Sequence, residues 1–580
     1  MSEDKKGFFP KSKTRKINSL KYPNFKQWTK IPKLLSKKEK LLLGVFGALI
    51  LLSCVALHTV NFYKTANKIP AEGGEYTEGA LGQPQFINPI LAIQNEIDTD
   101  LTELVFSGLF KYTENREIIP DIVESWEISE DKKTYSLKIR NNLLWHDEEK
   151  LTSQDILFTF QTITDPLYSS PLKESLESAE CQIENDLELK FILKEPYAPF
   201  LYNLTFKILP QHIWKDIPPS SFRLASGNLK PIGSGPYKFE NLSKDKDGFI
   251  HWISLKKWEN YYGKIPLIST ATFKFFKDQE SLFKAYNKKE ILGISKLPFD
   301  YSSSIQNPES AQIFEVKPFQ YFAVFFNNSN NWLKDKNIRL SLVKAINKDT
   351  LISQVFSSEA EKLAGLPCCN ATEYESLSFS TEEAGEILNA AGFIDQDQDG
   401  IKEKTIGSET KKLELSFITA DQDWLIKSAE ILKSEWEQLG FKINLEIKNL
   451  AQLQNETLKN RQFDLFLFGQ SLGAEPDPYA FWHSSQKDFP GLNLSMFSSP
   501  EADKILESLR TTYDPFEKNN LCLQLRDILN SEIPALFLFN PKRKFLINKK
   551  IKNVAFGEFR LPQARFANIS SWYIKTKYER

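Results

Sequence analysis

Residues 104–160 read LVFSGLFKYTENREIIPDIVESWEISEDKKTYSLKIRNNLLWHDEEKLTSQDILFTF. Trp126 and Ile128 alternate with polar residues, and Ser129–Lys133 supplies a polar turn. Tyr135, Leu137 and Ile139 then fall on one face of a strand, with Ser136, Lys138 and Arg140 on the other. Asn141-Asn142 punctuates that strand. Thr152, followed three residues on by Asp155, opens a helix carrying Ile156, Leu157 and Phe160. The expected order is strand, turn, strand, loop, helix. On physics alone this is an α/β unit common to many folds.

Outward from that unit, a chain of 580 residues is too long for one core, so two or three lobes are expected. With 41% hydrophobic and 26% charged residues it reads as globular. The net charge of −1 hides an asymmetry: residues 1–40 hold 13 Lys/Arg against 3 Asp/Glu, and the remainder 61 against 72. A basic tail on a mildly acidic body puts charge in the wrong place for a phosphate footprint, which argues against nucleic acid as the partner.

Residues 41–60, LLLGVFGALILLSCVALHTV, carry no charge and are long enough to cross a hydrocarbon core as a helix. Lys37, Lys38 and Lys40 precede them and place the tail in the cytoplasm, with the body outside after about Lys64. The competing reading is a lipoprotein signal, because Leu51-Leu52-Ser53-Cys54 is a degenerate lipobox. Against it stand the apolar residues beyond Cys54 and the long basic stretch upstream. The other cysteines are Cys181, Cys368, Cys369 and Cys522, with no CxxC spacing, so a disulfide is permitted but not called for. The five histidines show no ligand spacing, so no catalytic metal is expected. Asp395, Asp397, Asp399 and Gly400 imitate the first half of a calcium loop, but position twelve is Ile406, not Glu; a solvated turn is expected, with weak calcium binding as the alternative.

Further along, Tyr321–Asn327 has a buried-strand pattern, and Ile338, Leu342, Ala345 and Ile346 share the side of a following helix. Leu425, Leu432, Trp436 and Leu439 share another helix face, with Gly440 as its C-terminal cap. A strand over 441–448 follows. Phe463–Phe468 is apolar enough for burial on both faces. Directly after it comes Gly473-Ala474-Glu475-Pro476-Asp477-Pro478. Ligands of open α/β sheets sit outside the carboxyl ends of strands, and the two prolines stiffen the loop around Asp477. A fixed carboxylate there suits a cationic group. An ordinary Asp-Pro surface turn is the bland alternative.

As a string, residues 104–160 closely resemble the signature segment of the family 5 extracellular solute-binding proteins, the peptide/nickel receptors of ABC importers. Pro120-Asp121 through Ser125-Trp126, Thr134-Tyr135 through Ile139-Arg140, Trp145-His146-Asp147, and Leu151-Thr152 through Phe160 follow in the family's order. Asn88-Pro89, Gly233-Ser234-Gly235-Pro236-Tyr237-Lys238-Phe239 and Leu333–Arg339 extend the likeness over nearly all of residues 72–545. The family's His-Asp-Gly turn is His146-Asp147-Glu148 here, which puts the φ of that turn in doubt. The resemblance makes this triplet a structural loop despite its catalytic look.

The resemblance implies an α/β, two-lobed fold of the type II periplasmic-binding-protein kind with an extra subdomain, preceded by one transmembrane helix. The expected organisation is a basic cytoplasmic tail (1–40), an anchor (41–60), a linker (61–72) and a first lobe from 73–111, 231–320 and 535–580. The subdomain takes 112–230 and the second lobe 321–534. The resemblance further implies peptide capture by hinge closure, delivery to an ABC permease, a monomer on the cell surface, and no catalytic residues, cofactor or metal. It maps a contact with the ligand's amino terminus onto Asp477, with backbone contacts near Gly473 and Glu475. Tyr479, Phe481 and Trp482 can line a side-chain pocket, with Trp482 expected as a wall of the cleft, although the three read equally as the start of the next helix. Phe326 and Asn327 lie near the expected crossing between lobes, where strand core is the alternative. The rival functions are binding of a non-peptide solute (a metal chelate, haem or an oligosaccharide), a secreted hydrolase, and an anchored sensor or adaptor without transport.

Overall fold

The computed structural model describes residues 35–92, 95–113, 117–368, 377–473, 475–554 and 561–579, with scattered positions before 35. Most of the basic tail, and Cys369, lie outside them. The chain divides into two compact units, residues 1–69 with 576–580, and residues 70–575.

In the first unit the helix Lys37–Thr65 holds the 25-residue span Lys37–Asn61, long and apolar enough to cross a membrane. The Leu, Ile, Val and Phe side chains over residues 41–60 are exposed. Residues 61–72, expected as a linker, hold the last turn of this helix and the strand Asn67–Ala71. Asn61–Thr65 contains neither Gly nor Pro, so nothing stops the helix at the end of the apolar run.

Three larger sheets, of seven, six and four strands, frame the second unit. A seven-stranded sheet runs in the order Ala311–Val316, Arg543–Asn548, Gly293–Ile294, Glu75–Leu81, Thr270–Phe276, Ile250–Lys257, Tyr237–Lys244. A six-stranded sheet runs Ala360–Lys362, Ala535–Pro541, Gln320–Phe326, Leu465–Ser471, Glu414–Ala420, Lys442–Lys448. Each anchors its own apolar core, so the unit has two lobes. The chain passes between the sheets twice, over residues 317–319 and at Lys542. The strand Ala535–Pro541, read from sequence as first-lobe chain, therefore pairs in the second lobe, antiparallel to Gln320–Phe326. All seven of its residues are buried, and one apolar strand carries no mark of which sheet will receive it.

The opening segment folds as its pattern dictates. Strands Val123–Ile128 and Thr134–Ile139 pair antiparallel, and Glu188–Leu193 and Ala179–Asn185 complete a four-stranded sheet of the added subdomain. Helix Ser153–Thr164 packs with them, and the capping box is complete: Thr152 and Asp155 each take the other's orphan N–H.

The Trp145-His146-Asp147 loop is a fastener. The Gly233 N–H donates to His146 Nδ1 at 3.2 Å, and Nε2–H donates to the Gly235 carbonyl at 3.0 Å. One ring nitrogen accepts, so the imidazole is neutral, and burial holds its pKa down at about 4. Glycine is required at the other side of the fastener. A Cβ on Gly233 would lie 2.0 Å from the Val105 carbonyl oxygen. Glu148 takes the left-handed conformation (φ +74) that the family's glycine would adopt, so the turn survives at a cost of about 1–2 kcal/mol.

Candidate functional site

The central strand Leu465–Ser471 of the second lobe runs parallel to Glu414–Ala420 and antiparallel to Gln320–Phe326. Its carboxyl end opens on a cavity of about 1680 Å³. Walls come from the first lobe (Glu103), the added subdomain (Tyr197, Tyr202, Lys207) and the second lobe (Gly473, Glu475, Asp477, Arg510). A cavity outside the carboxyl edge of such a sheet is where α/β proteins take ligands.

Asp477 is held through both of its carboxylate oxygens. Its Oδ1 accepts the Tyr479 N–H at 3.1 Å, an Asx-type closure of the Pro478 turn. Its Oδ2 accepts the Tyr197 hydroxyl at 2.9 Å and Arg510 Nε at 3.0 Å. The Arg510 guanidinium lies 4.1 Å from the Tyr479 ring centroid and 5.1 Å from that of Tyr197. This geometry favours cation–π attraction. Burial opposes the charge of Arg510, but the Asp477 carboxylate and the Tyr197 hydroxyl together outweigh it and raise the guanidinium pKa. Burial, then the same carboxylate, pushes the Tyr197 hydroxyl up, so it stays a donor. The Ala198 N–H donates to the Arg510 carbonyl at 2.7 Å, so the subdomain meets the second lobe through backbone as well as side chain.

Glu475, two residues earlier, is ion-paired with Lys518. Across the cavity Glu103 pairs with Lys207 at 2.9 Å, and burial raises its pKa despite that partner. Among the described residues lining the cavity none is His, Cys or Met. The wall thus combines the ion pairs Asp477–Arg510, Glu475–Lys518 and Glu103–Lys207 with tyrosine rings and apolar residues such as Phe110, Phe206, Leu472 and Phe481.

The structure brings Gly473, Glu475 and Asp477 to this cavity and leaves Trp482, Phe326 and Asn327 out of its lining. Trp482, expected as a cleft wall, is fully buried in the second-lobe core. There it packs 5.7 Å from Phe537 and 6.2 Å from Phe325 between ring centroids. In the one-turn helix Tyr479–Trp482 it takes the inward face, and Tyr479 and Phe481 line the cavity instead. Phe326 is likewise fully buried. Asn327 donates through Nδ2 to the Phe463 carbonyl at 2.8 Å. The register explains both. Gln320 pairs with Ser471 at the cavity end, which leaves Phe326 opposite Leu465, about 20 Å away along the strand.

Arg510, Tyr197 and Lys518 escaped the sequence reading. The Asp-Pro loop announces itself locally, but its partners lie 33 residues on and 280 residues back. One available signal was that a carboxylate in a cleft calls for a cation. It does not say which one.

The description "Bacterial extracellular solute-binding proteins, family 5 Middle" matches residues 117–491. The oligopeptide-binding protein AppA of Bacillus subtilis (strain 168) is 24% identical over 524 residues, 88% of this chain and 93% of its own. The nickel-binding periplasmic protein of Escherichia coli (strain K12) is 26% identical over 464 residues, 76% and 84% of the two chains. The solved structure of the Bacillus subtilis AppA in complex with a nonapeptide superposes with a TM-score of 0.71 at 24% identity. That match covers 87% of this chain and 100% of the other. The two-lobed type II periplasmic-binding fold is common to both.

Proposed function

This chain belongs to family 5 of the bacterial extracellular solute-binding proteins, and from that premise we propose that it is a membrane-tethered receptor. It closes two lobes over a peptide and passes the peptide to an ABC permease. Proteins of this family bind and carry solutes for transport and are not enzymes. The helix Lys37–Thr65 is the tether, basic on its cytoplasmic side, and residues 70–575 are the outward-facing binding unit. The crossings at 317–319 and 542 are the hinge.

One observation carries the peptide reading: Asp477, fixed on the wall of the interlobe cavity. Among the described residues its Oδ1 takes only the Tyr479 N–H, which leaves lone pairs for a ligand ammonium. Arg510 balances the carboxylate and shares it when the amine arrives. A charge-assisted contact of this kind contributes about 1.5–3 kcal/mol. A micromolar ligand requires about 8 kcal/mol in all, so main-chain pairing and burial on closure contribute most of the affinity. Main-chain pairing reads little side-chain information, which makes sequence selectivity loose. The cavity exceeds the roughly 300–1,000 Å³ of drug-sized sites, as a ligand of several residues needs.

The relatives' names include peptide and nickel binders. A wall without His, Cys or Met offers no soft or imidazole ligand to a bare transition metal, which favours the peptide. Native mass spectrometry of the full-length protein in detergent tests this reading. Co-purifying peptides are expected; a metal chelate or a sugar in their place would overturn it.

A further inference from the structure

Outside the cavity lining, the loop after helix Thr381–Ala390 carries Asp395, Asp397 and Asp399, then Gly400 at φ +87. Asp395 accepts the Gly400 N–H at 3.0 Å and the Asp399 N–H at 3.1 Å; Asp399 accepts the Ile401 N–H at 3.0 Å. Ile406 at the twelfth position argued for a solvated turn. Glu403, at the ninth, argues the other way.

Glu403 begins the strand Glu403–Ile406 and is 2% exposed. Its Oε1 accepts the Gln396 N–H at 2.7 Å. Its Oε2 is buried and has no hydrogen-bond partner among the described residues. A buried carboxylate oxygen without a donor costs free energy unless a cation answers it. One carboxylate oxygen from each of Asp395, Asp397 and Glu403 lies within 4.8 Å of the others. That spacing suits an ion bound at about 2.3–2.6 Å from each oxygen. Lys412 reaches the same loop from the exposed side. Its ammonium sits 3.0 Å from Asp397 and also pairs with Asp399.

We propose that this loop is a calcium site in which Asp395, Asp397 and Glu403 are the carboxylate ligands and Lys412 is the built-in competitor. The donors are all oxygen, which suits a hard cation. Magnesium is disfavoured, because it demands a near-ideal octahedron and gives up water reluctantly. With no bidentate Glu at position twelve and an ammonium to displace from Asp397, binding falls in the range of extracellular modules, about 0.1–1 mM. The bound ion ties the end of helix Thr381–Ala390 to the hairpin of Glu403–Ile406 and Glu409–Lys412, and so makes the second lobe's stability calcium-dependent. This inference concerns a different surface from the peptide cavity and stands or falls separately.

Calorimetric titration of the full-length protein in detergent, stripped with chelator, tests it with calcium chloride alone. Saturable binding near 1 mM and a rise in Tm are expected, with magnesium at least tenfold weaker. Asp395→Asn and Glu403→Gln should each abolish both signals. Lys412→Met should tighten binding about two- to fivefold, the worth of an exposed ion pair. Should Glu403→Gln fail to fold, Asp395→Asn and Lys412→Met decide the matter. No saturable calcium binding by the wild type at about 10 mM, ten times the upper end of that range, or binding that survives Asp395→Asn, would overturn the site.

Discussion

Two arginine–carboxylate clusters in the binding unit put the same chemistry to different uses. Arg565 is fully buried in the first lobe, where it pairs with both Glu78 and Asp100, each equally sealed from water. Tyr76 donates to Glu78 behind it, and the Phe566 ring lies 4.1 Å from the guanidinium. Arg510, at the cavity, is 38% exposed and its partner Asp477 is 18% exposed. The first cluster has no route to exchange partners; removing one member strands a charge in the core. The second is open on one side, so a ligand can enter the pair and water can cover its loss. Burial decides which ion pair holds the fold and which is left free to bind.

The hardest break is at Arg565. Arg565→Met leaves Glu78 and Asp100 buried without a cation, and a loss of about 3–5 kcal/mol is expected in thermal or denaturant unfolding. Next is a buried group kept uncharged. His146 titrates at about 4 in the fold and near 6.5 unfolded, so below pH 6.5 the unfolded state takes the proton first. Stability therefore falls between pH 6.5 and 4, by about 3 kcal/mol in all, and levels off below. Asp98 opposes it: burial raises its pKa to about 6, so the folded state gains protons first and stability rises over the same fall in pH. Unfolding measured across pH 4–7 should show a flatter acid limb in His146→Gln and a steeper one in Asp98→Asn.

At the cavity the pattern should invert, with large effects on binding and small ones on stability. Asp477→Asn should weaken peptide binding about 10- to 150-fold, the equivalent of about 1.5–3 kcal/mol, while Tm stays close to that of the wild type. Tyr197→Phe removes one neutral donor from the same carboxylate and should weaken binding by about 0.5–1.5 kcal/mol without loss of stability. A large drop in Tm from either variant would place this cluster with the structural one.

What could be read from the chain follows the same division between near and far. The segment from Val123 to Thr164 was legible because alternation, an Asn-Asn break and a capping box are local, and each element formed where its pattern placed it. The loop at Asp477 was legible in position, since a Pro-flanked acid after a strand that is buried along most of its length is also a local pattern. Its pairing with Arg510 and Tyr197 is tertiary and left no trace in spacing. Trp482 and Phe326 show the opposite difficulty. Large apolar side chains suit a cleft wall and a core equally, and helix face and strand register, fixed only in the fold, sent both inward.

The most direct test pairs the change in protein with a change in ligand. Calorimetry on the full-length protein would compare a co-purifying peptide, free and N-acetylated, against wild type and Asp477→Asn. Acetylation should cost the wild type about 10- to 150-fold and the variant almost nothing, because the two changes remove one contact. Equal losses in both proteins, or none in either, would contradict the assignment of Asp477 to the ligand's amino group.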